Sequence, residues 1–387
     1  MSARLIVFIC TMMGAYTFCI GAFPVLLPEV DRAFDFSDRQ LGAIAGAFGF
    51  ARMVTDIPAG LLVTHHPRRA LIGGPVFMLL GVLTISGARG FAWLVVGQAL
   101  LSIGYTLSNL ASVTVILRLR AASGLASTLN VYEFSAMIAI LGAVTLIGLL
   151  PAALPWNIAF LIGCTPMLVG VVALQGVLRH LEPAPRARPW FARVQAEASP
   201  ARGGNVMLVT LAFGVGAAVA VTYGTVASFL IPLRGSRDFG LDRAGIAQLF
   251  MLAQVCDIVA LLPLGGLADR RGAPRVLAAV LVTLAAAVGL IAFGAMPHAI
   301  VGCVLFGLGM SGWMLPLGLL RSATPASQIS WRTALYRVWV DGGMFIGPFL
   351  SGLLAVTHPG LLPGILVIAL MVLASVLFVA RRAWGPT

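Results

Sequence analysis

Six ionisable side chains lie inside long apolar stretches of this sequence, where a charge is costly unless it is paired or has a function. In such surroundings these groups can pair with one another, bind a proton, or bind a charged ligand. The six are Arg52, Asp56, Glu133, Asp257, Arg337 and Asp341.

Four of the six form two arginine–aspartate pairs with a spacing of four residues. The segment RMVTDIPAG, residues 52–60, holds Arg52 and Asp56, and a second pair is formed by Arg337 and Asp341. Residues four apart share one face of a helix, so each pair can neutralise itself within its own helix. Two separate intrahelical pairs of purely structural use are therefore one interpretation of this pattern.

Glu133 and Asp257 differ from these pairs because neither has a basic residue within one helical turn. Each lies roughly 12–15 Å from the end of its apolar stretch, near the middle of a membrane. A carboxylate in a dry site takes up a proton, so we predict that these two residues bind a coupling proton or the substrate. The alternative is a pair of protonated packing residues, or an ion pair between one of them and Arg52 or Arg337.

The composition indicates that membrane helices position these residues. Hydrophobic residues make up 60% of the chain and charged residues 10%, whereas soluble proteins average about 25% charged residues. A run of about 20 apolar residues crosses a bilayer as a helix. We predict an all-α membrane protein with twelve spans, at 5–27, 41–63, 70–88, 92–117, 125–150, 158–178, 205–233, 245–267, 276–295, 299–320, 334–356 and 361–380.

The basic residues, all arginine, give the chain a net charge of +12. They are scattered through short loops, which argues against a nucleic-acid partner and is typical of the positive-inside rule. With both termini in the cytoplasm, seventeen arginines lie inside and six outside. We therefore expect a multi-pass protein of the cytoplasmic (inner) membrane. We expect no metal and no cofactor, because the adjacent His65 and His66 have no partner cluster.

The chain divides into two similar halves. Residues 179–204 are rich in Arg, Pro and Ala and predict a cytoplasmic linker between bundles at 1–178 and 205–387. The pair Asp38-Arg39 is repeated as Asp242-Arg243, each before a predicted span. Duplicated six-helix bundles are typical of secondary transporters, in which the two bundles rock about a central site.

A motif between spans 2 and 3 reads GLLVTHHPRR at 60–69, and a fuller copy between spans 8 and 9 reads GGLADRRG at 265–272. The two copies resemble the Gly-x-x-x-Asp-Arg-x-Gly turn of the major facilitator superfamily. The residues at the motif positions are Gly60, Thr64, Arg68, Arg69, Gly265, Asp269, Arg270 and Gly272. Thr64 replaces the usual aspartate of the first copy, which in the family latches the two halves.

The resemblance implies which spans are neighbours. In the family, span 2 faces span 11 and span 5 faces span 8 across the two halves. We therefore predict that the two arginine–aspartate pairs join into one four-charge cluster that closes the inner side. Glu133 and Asp257 would then face each other and share a proton.

The resemblance also implies that spans 1, 4, 7 and 10 line the central cavity. Those spans contain no ionisable side chain. Their polar and aromatic residues include Tyr16, Gln98, Tyr105, Asn109, Tyr223 and Trp313. An apolar pocket with a few hydrogen-bonding groups suits a neutral, amphipathic or cationic organic molecule.

These observations predict a secondary active transporter of a small organic solute, coupled to protons and acting as an exporter. An uncoupled or uptake carrier of the same fold, or a non-transporting receptor or assembly factor, is the alternative. No set of nucleophile, base and metal ligands indicates an enzyme. We expect a monomer in the lipid bilayer. We interpret the glycine run at 343–348, GMFIGP, as a site of close helix packing.

Overall fold

The computed structural model describes residues 3–119, 125–180, 206–325 and 328–383, and within these ranges all regular secondary structure is helical. In the described residues, twelve helical segments are long and apolar enough to cross a membrane. Helices suit this setting because all their backbone hydrogen bonds are internal. The predicted all-α, twelve-span fold is confirmed. Most of the predicted linker lies outside the described residues.

The helices follow the predicted spans but most extend beyond them. Spans 1 to 6 are formed by α1 (Ala3–Phe34), α2 (Asp38–His65), α3 (Pro67–Ser86), α4 (Phe91–Leu119), α5 (Leu125–Leu149) and the pair α6 (Trp156–Gly163) and α7 (Met167–Arg179). Spans 7 to 12 are formed by α8 (Val206–Thr225), a π-helical turn (Val226–Leu230) and α9 (Ile231–Arg237), then α10 (Arg243–Arg271), α11 (Ala273–Phe293), α12 (Met296–Met310) with α13 (Leu315–Ser322), α14 (Ile329–Ala355) and α15 (Leu361–Ala383). The helices are longer because their polar end turns fall below a hydropathy threshold while the backbone remains helical.

Spans 6, 7 and 10 are interrupted, each next to a proline, which lacks the N–H of a regular helix. In span 6 the carbonyl of Ile162 accepts hydrogen bonds from the backbone N–H and the hydroxyl of Thr165, at 3.0 and 2.7 Å. In span 7 the N–H of Ile231 donates to the carbonyl of Val226, five residues back. In span 10 the helix stops at Met310 and resumes at Leu315. Hydropathy predicted the spans but not these interruptions.

The chain forms two compact units. The first contains the described residues of 1–36, 47–193 and 241–248, and the second those of 37–46, 194–240 and 249–387. In the first unit α1 packs against α5 and α7, and α3 packs against α4. In the second unit α8 packs against α14, α11 packs against α12, and α11 also packs against α15. The packing of span 1 against span 5 in the first unit therefore corresponds to the packing of span 7 against span 11 in the second. The packing of span 3 against span 4 corresponds in the same way to that of span 9 against span 10. Such corresponding contacts are expected of duplicated halves.

Small residues allow α14 and α8 to touch. A Cβ at Gly347 of α14 would lie 2.5 Å from the carbonyl oxygen of Val221 and 2.8 Å from the backbone nitrogen of Thr225 on α8. A Cβ at Gly343 would lie 2.8 Å from the Cβ of Ala220. The glycine run at 343–348 therefore packs two backbones together, as interpreted from the sequence.

Candidate functional site

Asp257 lies at the middle of α10, fourteen residues from each end of the helix. Its Oδ1 atom is buried and has no hydrogen-bond partner within the described residues. A buried polar atom without a partner is unfavourable, so functional sites are where such atoms are retained. This makes the carboxylate a candidate site for a proton or a ligand.

The face of α10 that carries Asp257 is turned toward α12. A Cβ at Gly307 of α12 would overlap the carbonyl of Ala253 and lie 2.9 Å from the Cβ of Cys256, so the two helices are in direct contact. Ala253, Cys256 and Asp257 are spaced at i, i+3 and i+4 and share one face of α10. Asp257 therefore lies one turn beyond the contact, on the same side of the helix.

The interruption of span 10 lies at the level of Asp257. Spans 8 and 10 run in the same direction because one span separates them. Asp257 is four residues, about 6 Å, beyond Ala253, and the interruption at 311–314 begins four residues beyond Gly307. There the Ser311 hydroxyl donates to the carbonyl of Leu308 at 2.7 Å. The C-terminal end of α12 and Asp257 thus lie at about the same height along their helices.

Three aromatic rings cluster at this interruption. The ring of Tyr223 lies 5.8 Å from that of Trp313 at an interplanar angle of 64°, and 6.4 Å from that of Phe306 at 22°. Trp313 belongs to the interruption itself, and Phe306 precedes the contact glycine Gly307. Two of the predicted cavity residues are therefore brought together. Phe306 was missed, because an aromatic residue in an apolar run has no sequence feature that separates it from packing.

The first unit holds a second group of polar and aromatic residues. The guanidinium carbon of Arg52 lies 5.8 Å from the centre of the Tyr105 ring, which joins α2 to α4. One turn along α4, Asn109 accepts a 2.7 Å hydrogen bond from the hydroxyl of Tyr132 on α5. Glu133 follows Tyr132, and its side chain is exposed. Residues predicted for the gate, the cavity and the coupling site therefore lie on neighbouring helices of this unit.

The other predicted cavity residues are deeper in the packing. Tyr16 is fully buried, and its ring lies where a side chain at Gly170 of α7 would be. Gln98 on α4 is also buried.

The predicted gate residues are divided between the two units. Arg52 and Asp56 belong to the first, while Arg337 and Asp341 belong to the second. Both aspartates are buried, with 9% and 2% of their surface exposed. The four-charge cluster stays a prediction.

The two copies of the turn motif have the same construction. The single residue His66 joins α2 to α3, and the single residue Gly272 joins α10 to α11. Gly272 has φ of +86°, a conformation that favours glycine. In the first copy the Thr64 hydroxyl donates to the carbonyl of Gly60 at 2.8 Å. The charged motif residues are exposed; they are Arg68, Arg69, Asp269 and Arg270.

A buried arginine that the sequence reasoning did not single out lies in the first unit. Arg243 donates from Nε to Oε1 of Glu29 at 2.7 Å and from Nη2 to Oε2 at 2.5 Å. It also donates to the carbonyls of Pro151 and Leu154, at 3.1 and 2.7 Å. Its side chain is 1% exposed, so nearly all of its donors are used inside the protein. The repeated Asp-Arg pair was the available signal, but it did not identify Glu29.

The second unit contains a related pair at the start of α2. Asp38 accepts a 2.6 Å hydrogen bond at Oδ1 from Nη1 of Arg237. The side chain of Asp38 is 20% exposed and that of Arg237 is 41% exposed. The residue that opens span 2 thus binds the end of span 7, and Arg243, which opens span 8, binds the end of span 1. In both pairs a residue that opens one span binds a residue near the end of another, but the acidic and basic partners are exchanged.

Comparison with known proteins identifies the fold. The sequence matches the Major Facilitator Superfamily over residues 5–235 and 212–386. No curated protein matches it. It resembles the solved structure of the peptide transporter POT bound to sulfate, with a TM-score of 0.81, 13% identity and coverage of 99% of this chain and 95% of that one. The nucleoside transporter NupG gives a TM-score of 0.70 and 13% identity, with 98% of each chain covered.

A third similar structure is a bacterial homologue of the human lysosomal transporter Spinster, in an inward-facing and occupied conformation. Its TM-score is 0.73 at 15% identity, and the alignment covers 99% of this chain and 98% of that one. At these identities the structures show the fold alone, whereas the family match extends over nearly the whole sequence. The chain is a member of the major facilitator superfamily and a multi-pass secondary transporter.

Proposed function

We propose that this transporter moves a small organic solute across the cytoplasmic membrane by alternating access, that protons drive the movement, and that the solute is exported. The observation that carries the proposal is the buried Oδ1 of Asp257, which has no hydrogen-bond partner in the described part of the chain. Protons moving inward through an exchange mechanism would move the solute outward.

The surroundings of Asp257 support a role in proton binding. The sequence of span 10, which contacts its face of α10, carries no Asp, Glu, Lys or Arg between His298 and Arg321. On α10 itself no other charged residue occurs between Arg243 and Asp269. A carboxylate in such surroundings is stabilised by a proton. By family resemblance Glu133 of span 5 would be the facing carboxylate, and we propose that the two residues share the coupling proton.

The solute site is proposed at the aromatic residues of the second unit, where Tyr223 and Trp313 offer ring surfaces. Apolar walls with a few directed polar groups are typical of sites for small organic molecules. The arginine–aspartate pairs at 52–56 and 337–341 are proposed to close the inner side during the cycle.

Transport by purified protein in liposomes tests this proposal. A panel of organic cations, neutral compounds and organic acids would be measured with and without an imposed pH gradient. In Asp257→Asn and Glu133→Gln we expect downhill exchange to survive and pH-driven accumulation to disappear, because the amides keep size and hydrogen bonding but cannot titrate. Asp242→Asn, the same change at the outer end of α10, is the control.

If both amide variants still accumulate solute with an unchanged pH profile, these carboxylates are structural and the coupling proposal is wrong. Transport that no pH gradient affects in the wild type would instead indicate an uncoupled carrier. No transport of any compound would favour the receptor alternative.

Both termini are proposed to lie in the cytoplasm. The exposed residues His180, after span 6, and Thr357, between spans 11 and 12, are suitable for cysteine labelling in a variant without the five native cysteines. A membrane-impermeant thiol reagent added to intact cells should label Thr357→Cys and not His180→Cys. Equal labelling from outside would contradict this orientation.

A further inference from the structure

We propose that a cavity at the ends of spans 7, 9 and 11 binds one phospholipid whose zwitterionic head group carries a phosphate and a primary ammonium. The cavity has a volume of about 350 Å³, and the residues that line it all belong to the second unit. Its lining includes neither Asp257 nor the rings of Tyr223 and Trp313, so it is separate from the candidate solute site. The inference therefore does not depend on the proposed transport function.

The cavity lies where helices of the second unit end. The helix α9 ends at Arg237, α11 ends at Phe293 and α14 ends at Ala355, while α15 begins at Leu361. Arg237, Phe293, Ala355 and the neighbouring Leu362 all line the cavity. The ends of membrane-spanning helices lie at the boundary between the hydrocarbon core and the lipid head groups. A lipid of the surrounding bilayer can therefore reach this cavity.

The lining changes from apolar to charged along span 7. Phe229 and Leu233 lie toward the middle of the span, and Arg237 lies eight residues, about 12 Å, beyond Phe229. Leu354 of α14 and Leu362 of α15 add further apolar walls. A molecule with an apolar body and a charged head matches this lining, because each part meets groups of its own kind.

Arg234 fixes one wall of the cavity. It donates from Nε to Oδ2 of Asp238 at 2.6 Å, and its two other nitrogens donate to the carbonyls of Ile291 and Gly294 at the end of α11. Its guanidinium carbon lies 5.0 Å from the centre of the Phe239 ring. These contacts join the end of span 7 to the end of span 9, so this wall is formed by the protein alone.

The charged residues of the lining balance one another. Arg237 pairs with Asp38, and Arg234 pairs with Asp238, so the cavity has two positive and two negative side chains. A head group with a net charge would bring a charge that this set does not compensate. A zwitterionic head group adds no net charge and fits the set better.

Arg237 and Asp238 offer opposite charges side by side. Their Cα atoms are about 3.8 Å apart because they are neighbours in the sequence. Their side chains are 41% and 49% exposed, respectively. A guanidinium has five donors and a carboxylate about four acceptor positions, so each can bind a ligand group as well as its protein partner. The phosphate and the ammonium of phosphatidylethanolamine are joined by two methylene groups and can reach both residues.

Native mass spectrometry of the purified full-length protein in detergent tests this site. The protein would be titrated with phosphatidylethanolamine, phosphatidylcholine or phosphatidylglycerol that carry the same acyl chains. We expect one phosphatidylethanolamine to bind about 10-fold more tightly than phosphatidylcholine, whose quaternary ammonium cannot donate a hydrogen bond to Asp238. The anionic phosphatidylglycerol should also bind more weakly. Glycerophosphoethanolamine, which has the head group without acyl chains, should compete poorly because it leaves the apolar walls uncovered.

Two variants separate the roles of the two charges. Asp238→Asn should remove the preference for phosphatidylethanolamine over phosphatidylcholine. Arg237→Gln should weaken the binding of both lipids about 10-fold and keep the preference, because both carry the phosphate. Leu354→Trp fills the cavity and should weaken the binding of all three phospholipids.

The matched control for Leu354→Trp is Leu353→Trp, at an exposed neighbouring position outside the cavity lining. The controls for the charge variants are Arg32→Gln and Asp242→Asn, at exposed positions of the first unit. All three controls should bind lipid as the wild type does. Elution of each variant as a single monodisperse peak shows that it is folded.

Equal binding of the three phospholipids would mean that the protein retains lipid without selection, and the site would be refuted. Tightest binding of phosphatidylglycerol would indicate an anionic lipid, and equal competition by glycerophosphoethanolamine would indicate a soluble zwitterion; either result contradicts the proposal. An unchanged preference in Asp238→Asn, or unchanged affinity in Arg237→Gln, would show that the lipid binds elsewhere.

Discussion

Arg243 provides a sharp test of how much a buried ion pair stabilises this protein. Its side chain is 1% exposed and reaches both oxygens of Glu29 and the carbonyls of Pro151 and Leu154. Replacing it in Arg243→Met leaves the carboxylate, 17% exposed, and two carbonyls without these donors. Breaking a buried pair from one side costs about 3–5 kcal/mol, so we expect a loss in that range in the free energy of unfolding.

The double variant measures the interaction energy between Glu29 and Arg243 apart from the effect of each single substitution. Glu29→Gln alone leaves the buried guanidinium without its counter-charge, and this should also be costly. Glu29→Gln combined with Arg243→Met removes both charges and should cost less than the sum of the two single losses. We expect a coupling energy of about 1.5 kcal/mol or more, as for close buried charge pairs.

The free energies would be measured by equilibrium unfolding in mixed dodecylmaltoside and sodium dodecyl sulfate micelles, followed by circular dichroism. Asp238→Asn is the control, because Asp238 is 49% exposed and pairs with Arg234 at the surface. Such pairs contribute about 0–1 kcal/mol. Additive single losses, or a loss below about 1 kcal/mol in Arg243→Met, would refute the reasoning about this buried pair.

Two further predictions concern packing and the inner gate. Gly347→Ala places a Cβ 2.5 Å from the Val221 carbonyl and should destabilise the protein by about 1–3 kcal/mol in the same unfolding assay. Gly265→Ala, with no atom within 4 Å of its Cβ, should have no destabilising effect, and equal losses at the two sites would contradict this account of packing. Asp56→Asn and Arg337→Gln should each impair transport, and the double variant should lose less than the sum. Additive losses would mean that the two side chains are not partners.

The sequence was sufficient for the span count, because the hydropathy of a membrane helix depends on its own residues. It was not sufficient for helix interruptions, since Pro58 lies within the continuous helix α2 whereas Pro166 and Pro316 stand at breaks. At the span 6 break the Thr165 hydroxyl satisfies the carbonyl of Ile162, which Pro166 leaves without its helical donor, so the effect of a proline depends on the groups around it.

The candidate site was predictable to a similar extent. Asp257 was identified because an acidic residue in an apolar helix is conspicuous in any sequence. The contact of Tyr223 with Trp313, ninety residues apart, was expected only through the family resemblance, and their approach to Asp257 depends on the contact at Gly307. The partner of Arg243 was not predictable, since Glu29 was placed beyond the end of span 1 and lies 214 residues away.

The one-residue connections at His66 and Gly272 bear on how the protein is made and how it is degraded. We expect a connection this short to favour insertion of α2 with α3, and of α10 with α11, as helical hairpins, because the arginines of each turn stay together at one membrane surface. The same construction shields the chain from proteases, which need an extended segment of several residues. Arg270 and Arg271 are exposed but helical, so trypsin should leave this turn intact.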